Sequence, residues 1–129
     1  MEKGKALLLV VTLLLAIPAL AYEDEVETVF HQVAQLMSIK VKEDIPRPLI
    51  RLLEDVPPSD FSELVNLDTG GKVFSAYVPE VNTIFLVEWK REVLAHEFAH
   101  YFQVKYRGMK PDERDTAERE AVWVQSHFR

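Results

Sequence analysis

A chain of 129 residues with 48% apolar side chains is long enough for one domain around one core. Its formal net charge of −6 argues against nucleic acid, or an anionic membrane surface, as a partner. The chain has no cysteine, which excludes disulfides, lipoprotein attachment and thiolate metal ligands.

The N-terminus reads as a secretory signal. Lys3 and Lys5 precede a run of Leu, Val and Ala, and Ala19-Leu20-Ala21 has the small-x-small pattern of a cleavage site. The run is shorter than the roughly 20 residues of a spanning helix, and Pro18 interrupts it. Cleavage after Ala21 is therefore expected, giving a signal peptide over 1–21 and a single domain over 22–129. Loss of Glu2, Lys3 and Lys5 takes one negative and two positive charges from the net −6, leaving −7. The expected setting is secreted or periplasmic, in a bacterium, with no membrane contact after cleavage. A small exported domain without disulfides depends on its core, and a bound metal would add to its stability.

From Tyr22 to Ser38, Val26, Phe30, Val33, Ala34 and Met37 recur at helical spacing. Asp24, Glu25 and Glu27 sit near the positive end of the predicted helix, and His31 lies off its apolar stripe. Ile39 to Lys42 alternates like a strand. Pro46 and Pro48 then confine their neighbourhood to an edge or a connection. Ile50 to Glu54 fits either a short strand or a helical turn. Pro57 to Asp60 reads as a turn and N-cap, Phe61 to Val65 as a short helix, and Asn66 to Gly71 as a loop. Val73 to Val78 and Thr83 to Val87 flank a turn at Pro79 to Asn82, the clearest β signal in the chain. The strand directly upstream of the next helix has an edge that could hold an extended peptide by main-chain hydrogen bonds.

That helix, Glu88 to Gly108, carries His96-Glu97-Phe98-Ala99-His100. Residues four apart on a helix share a face, so His96 and His100 can aim two imidazole nitrogens at one zinc ion. Glu97 is placed to take a proton from a water held there. Gly108 suits the position just past the helix end, with Lys105 and Arg107 in its last turn. After Met109-Lys110-Pro111, a final helix is predicted from Asp112 to Phe128. His127 fits a cation at its C-terminal end.

Two histidines leave a catalytic zinc one protein ligand short. No Gly and His follow at the spacing of H-x-x-G-x-x-H, and cysteine is absent, so a carboxylate on the final helix is left. Glu118 and Glu120 point roughly 200° apart on a helix, and only one can face the metal. Glu118 shares its face with Ala121, Val122 and Gln125; Glu120 shares its face with Trp123, Val124 and His127.

HEFAH followed by Glu118-Arg119-Glu120-Ala121 resembles the gluzincin arrangement, closest to minimal zinc-metallopeptidase-like domains with HExxH and then ExxA or ExEA. It is also similar to small secreted bacterial proteins with a hairpin before HExxH, a glutamine after it (here Gln103) and another (here Gln125) after ExEA. The resemblance spans Phe74 to Gln125. It implies zinc on His96, His100 and a helix glutamate, with Glu97 as base, and its ExxA pattern favours Glu118. Larger gluzincins place Asp or Asn four residues after the ligand glutamate as a partner for a histidine; here that position is Val122.

The expected fold is α+β, a small zincin-like domain with helices on a short antiparallel sheet and zinc between the last two helices. The expected function is zinc-dependent hydrolysis of a peptide or protein substrate. The alternative is a non-catalytic zincin-like module that binds a peptide or partner around a structural zinc. Tyr77, Tyr101 and Tyr106 are the candidates for stabilising an oxyanion.

Overall fold

The computed structural model describes residues 23–52 and 75–129. The predicted signal peptide, the predicted helix at 61–65 and the loop at 66–71 lie outside these residues. Among the described residues the fold is α+β, with three α-helices and a three-stranded sheet. Helix α1 runs through residues 23–36, β1 is Leu49–Leu52, β2 is Ser75–Val78 and β3 is Thr83–Leu86. Helix α2 is Arg91–Lys105 and α3 is Arg114–Ser126. No helix among the described residues is long and apolar enough to cross a membrane.

The sheet is mixed, and this corrects the antiparallel sheet expected from sequence. Its order is β1-β3-β2; β2 pairs with β3 antiparallel, and β1 pairs with β3 parallel. The hairpin follows from local chemistry. Pro79–Val81 makes one 3-10 turn and Asn82 closes it at φ 46°, a left-handed conformation that Asn tolerates better than most residues. The same Asn82 recruits β1. Its side-chain amide donates to the Arg47 carbonyl at 3.1 Å, its Oδ1 accepts from the Tyr77 hydroxyl at 2.8 Å, and its backbone carbonyl accepts from Leu49 N–H at 3.0 Å. β3 is thereby the middle strand, and all four of its residues are buried. The strand directly upstream of α2 thus has no edge to offer a peptide; among the described strands the edges belong to β1 and β2.

Ile39 to Lys42 is not a strand. Ser38 at φ 57° ends α1 in a left-handed turn, and the Lys42 N–H donates to the Tyr106 hydroxyl at 3.0 Å instead of a neighbouring strand.

The core lies where α1, the sheet and α3 meet α2. Phe30 of α1 packs against Phe98, Tyr101 and Phe102 of α2, with ring centroids 5.2, 6.0 and 4.9 Å away. The Arg47 guanidinium lies over the Phe30 ring at 4.5 Å and hydrogen-bonds the Glu27 carboxylate. Arg47 and Glu27 are 44% and 50% exposed, and pairs of that kind contribute about 0–1 kcal/mol, against about 3–5 kcal/mol lost on truncating a buried Phe. The aromatic cluster, not the ion pair, docks α1.

Helix α2 ends as its glycine predicts. Gly108 adopts φ 63°, its N–H reaches Val104 O at 3.2 Å, and Met109 N–H reaches Gln103 O at 2.9 Å. The chain then reverses through a 3-10 turn at Pro111–Glu113, where the Glu113 carboxylate accepts the Lys110 N–H at 2.9 Å. Helix α3 returns along α2 and buries Ala121 and Val124, with Phe128 buried just past its end. Arg107, just past the end of α2, joins the end of α1 to the middle of α3: it donates to Met37 O at 2.9 Å and to both Glu120 oxygens at 2.6 and 2.7 Å.

The Glu27–Arg47 contact carries a pH signature. The Arg47 hydrogen bond, working against burial, holds the Glu27 carboxyl below its ordinary value of 4.5. A carboxylate with a lowered folded-state pKa stabilises the fold above its unfolded value and loses that contribution as pH falls through the folded one. The gap in urea midpoint between wild type and Glu27→Gln is therefore expected to be constant at neutral pH and to close in acid below pH 4.5. A gap unchanged down to acid pH would show that Glu27 acts through packing alone.

Candidate metal centre

The site is built on the α2–α3 contact. His96 and His100 stand one turn apart on α2, with ring centroids 4.9 Å apart. Ala121 is fully buried, and its methyl lets α3 approach closely enough for Glu118, one turn before it, to reach both imidazoles. His96 Nε2 lies 2.9 Å from Glu118 Oε1, His100 Nε2 lies 3.1 Å from Glu118 Oε2, and the two Nε2 atoms are 3.2 Å apart. Ligand atoms about 2.05 Å from a tetrahedral ion stand about 3.3 Å from one another. The two nitrogens and the carboxylate are thus gathered at nearly zinc-ligand spacing.

The other face of each ring meets a glutamine. His100 Nδ1 is 2.9 Å from Gln103 Oε1, and His96 Nδ1 is 2.8 Å from Gln125 Oε1. An amide oxygen only accepts, so each Nδ1 donates, and in the neutral ring the lone pair lies on the inward Nε2. In that state two lone pairs and a carboxylate converge with no donor between them, a set that either a cation or protons on the Nε2 atoms would satisfy. Protons are what the same contacts favour when no cation is present: burial alone would depress both imidazoles, yet the hydrogen bonds to Glu118 and the Glu97 charge outweigh it and raise them. The hydrogen bonds from His100 and then His96 hold the Glu118 carboxyl far below the usual carboxylate range.

Glu97 is 4% exposed and accepts a hydrogen bond from the Ser75 hydroxyl at the start of β2. His96, Glu97 and His100 each offer a ligand atom within 4.8 Å of the others, so Glu97 borders the same space as Glu118. The two carboxylates differ in their partners: Glu118 touches both Nε2 atoms from the facing helix, whereas Glu97 accepts from Ser75. Beside them opens a cleft of about 300 Å³ whose walls include Ser75, Val87, Val93, His96 and Gln125.

Glu120 takes no part in this cluster. It binds Arg107 and accepts from the Gln103 amide at 3.0 Å, and its carboxyl is lowered because Arg107 and Gln103 outweigh the cost of burial. The three tyrosines are also engaged elsewhere. Tyr77 donates to Asn82, Tyr101 donates to Pro46 O at 2.6 Å, and Tyr106 binds the Lys42 backbone. Burial and the neighbouring Tyr106 push Tyr101 up to about 12, and burial raises Tyr77 as well, so both keep their protons to hold the 42–47 connection and the hairpin turn. His31 is exposed beside Glu27, and His127 Nδ1 lies 3.0 Å from the Trp123 carbonyl. Ser75 carried no sequence signal, since nothing local marks a hydroxyl 22 residues before a glutamate as its partner.

No protein-family model matches the chain, and no curated protein or solved structure is recognisably similar to it.

Alanine at each candidate glutamate separates their roles. Glu118→Ala is expected to weaken zinc binding by at least about 100-fold, as loss of one of three ligands should, and Glu120→Ala to change it less than about tenfold. Competition with a chromophoric chelator measures both, and the reverse order would transfer the ligand role to Glu120.

Proposed function

We propose that this protein is a zinc-dependent hydrolase, a gluzincin-like metallopeptidase acting on peptide or protein substrates outside the cytoplasm. One observation carries the proposal: the Nε2 atoms of His96 and His100 and the Glu118 carboxylate converge within 3.2 Å, beside the buried Glu97. The donor set fits the ion, since two neutral imidazoles and one carboxylate are the His2Glu set of catalytic zinc sites. His96, His100 and Glu118 would hold it. Bound there, zinc supplies Lewis acidity, polarising a carbonyl and making a water acidic near neutral pH.

The chain's own groups do the rest. Glu97 lies at the metal-facing end of a polar path from Ser75, and its carboxylate is the base that accepts the proton from the attacking water. The same carboxyl then returns that proton to the departing amine nitrogen. The Ser75 hydroxyl donates to Glu97 Oε2 and so orients the carboxylate beside the two histidines. Val87 and Val93 give the adjoining cleft an apolar wall for a substrate side chain.

A second reading is favoured by the size of that cleft. About 300 Å³ lies at the low end for sites that enclose a small molecule, and it suits a module that grips one side chain of a partner without cutting it. Glu97 discriminates between the two, because holding a metal does not need it.

Glu97→Gln is expected to keep the fold and the zinc while lowering hydrolysis of an unstructured protein by about 10²–10⁴-fold. Metal content, melting temperature and turnover are measured on the same preparations. Equal turnover in wild type and variant would refute Glu97 as base, and a zinc-loaded wild type that cleaves nothing would establish the binding module.

A further inference from the structure

We infer that Gln103 and Gln125 are positioning residues that fix both imidazoles as Nδ1–H tautomers and hold the ligand pair less electron-rich than carboxylate partners would; for the zinc itself this rests on the metal-centre proposal above. The argument starts from Gln103, which is 1% exposed. Its NH2 group meets two groups that can only accept, Ala117 O at 2.9 Å and Glu120 Oε1 at 3.0 Å. Turning the amide over would set its oxygen against those two oxygens, so Oε1 is committed to His100. The His100 Nδ1 at 2.9 Å must therefore donate, and its Nε2 lone pair faces Glu118.

Gln125 reaches the other ring from α3, its Oε1 2.8 Å from His96 Nδ1, and with that oxygen accepting, Nδ1 donates and the Nε2 lone pair turns towards Glu118. The position four residues after Glu118 belongs to Val122, which is 47% exposed and has no polar atom to offer. Gln125 lies about one turn further along that face, and the task falls to it. Both acceptors are neutral amides. A carboxylate in their place would draw the Nδ1 proton, enrich the ring and strengthen its bond to a cation; an amide fixes the direction of the lone pair and leaves more positive charge on the ion.

The two glutamines differ in one respect that makes them separable. Gln125 has a single polar duty among the described contacts, whereas Gln103 also supplies two donors. A carboxylate should therefore be accepted at 125 and rejected at 103, where it would face the Ala117 carbonyl and the Glu120 carboxylate.

Two measurements on the purified protein test this. In the metal-free protein at alkaline pH, long-range 15N–1H spectra are expected to show both rings as Nδ1–H; an Nε2–H ring at either position overturns the inference. In zinc competition, Gln125→Leu and Gln103→Leu are each expected to weaken binding roughly 10- to 100-fold. Gln125→Glu should bind at least as tightly as wild type, while Gln103→Glu should be as weak as Gln103→Leu. Wild-type affinity in a folded Gln125→Leu overturns the inference and leaves the metal centre standing. If the position-103 variants do not fold, the position-125 pair decides. If wild type itself binds no zinc, the metal-centre proposal fails and the ring spectra alone judge the glutamines.

Discussion

The buried amide of Gln103 is the contact on which the site and the helix packing jointly depend. It sits in the last turns of α2, and its three polar partners are His100 on its own helix and Ala117 and Glu120 on α3. Its backbone carbonyl also receives Met109 N–H, which closes the end of α2. A buried amide with these partners tolerates few arrangements, because a lost partner costs about 1–3 kcal/mol of uncompensated desolvation. The crossing of α2 and α3 is therefore pinned in register as well as in distance. Register matters here, since a slip of one residue along α3 rotates Glu118 by about 100° away from the histidines.

Around that crossing the chain separates its polar groups by task. Glu118 is about half exposed and faces the imidazoles, so the ligand cluster opens towards solvent. Glu97 lies inside, where the Ser75 hydroxyl donates to it. Glu120 neutralises Arg107, and the tyrosines secure the 42–47 connection. Three glutamates within 24 positions of sequence thus occupy three environments: one against two bases, one beside a hydroxyl and one beside a guanidinium.

Much of this was legible in the sequence because it is local. The HExxH face, the hairpin around Pro79–Asn82, the glycine after α2 and the opposite facing of Glu118 and Glu120 all follow from periods of 3.6 and 2 and from turn chemistry. What escaped is long-range. The parallel pairing of β1 depends on Asn82 reaching back to Arg47, a contact across 35 residues that no local pattern encodes. Ile39 to Lys42 has a strand-like alternation, and a tyrosine hydroxyl from α2 overrides it. The glutamines are visible as residues, but their acceptor role depends on where α3 lands. Nothing in their spacing says which amide atom faces a ring.

Arg107 gives the centre a mechanical reach beyond its ligands. One guanidinium holds the carbonyl that ends α1 and the carboxylate that receives the Gln103 amide, so α1 cannot lift away without loosening the α2–α3 crossing. Helix α1, which contributes no ligand, belongs to the same cooperative unit as the site. Metal binding at the α2–α3 crossing would then slow amide hydrogen exchange in α1 as well, and loss of Arg107 would weaken that coupling while the aromatic cluster keeps α1 docked.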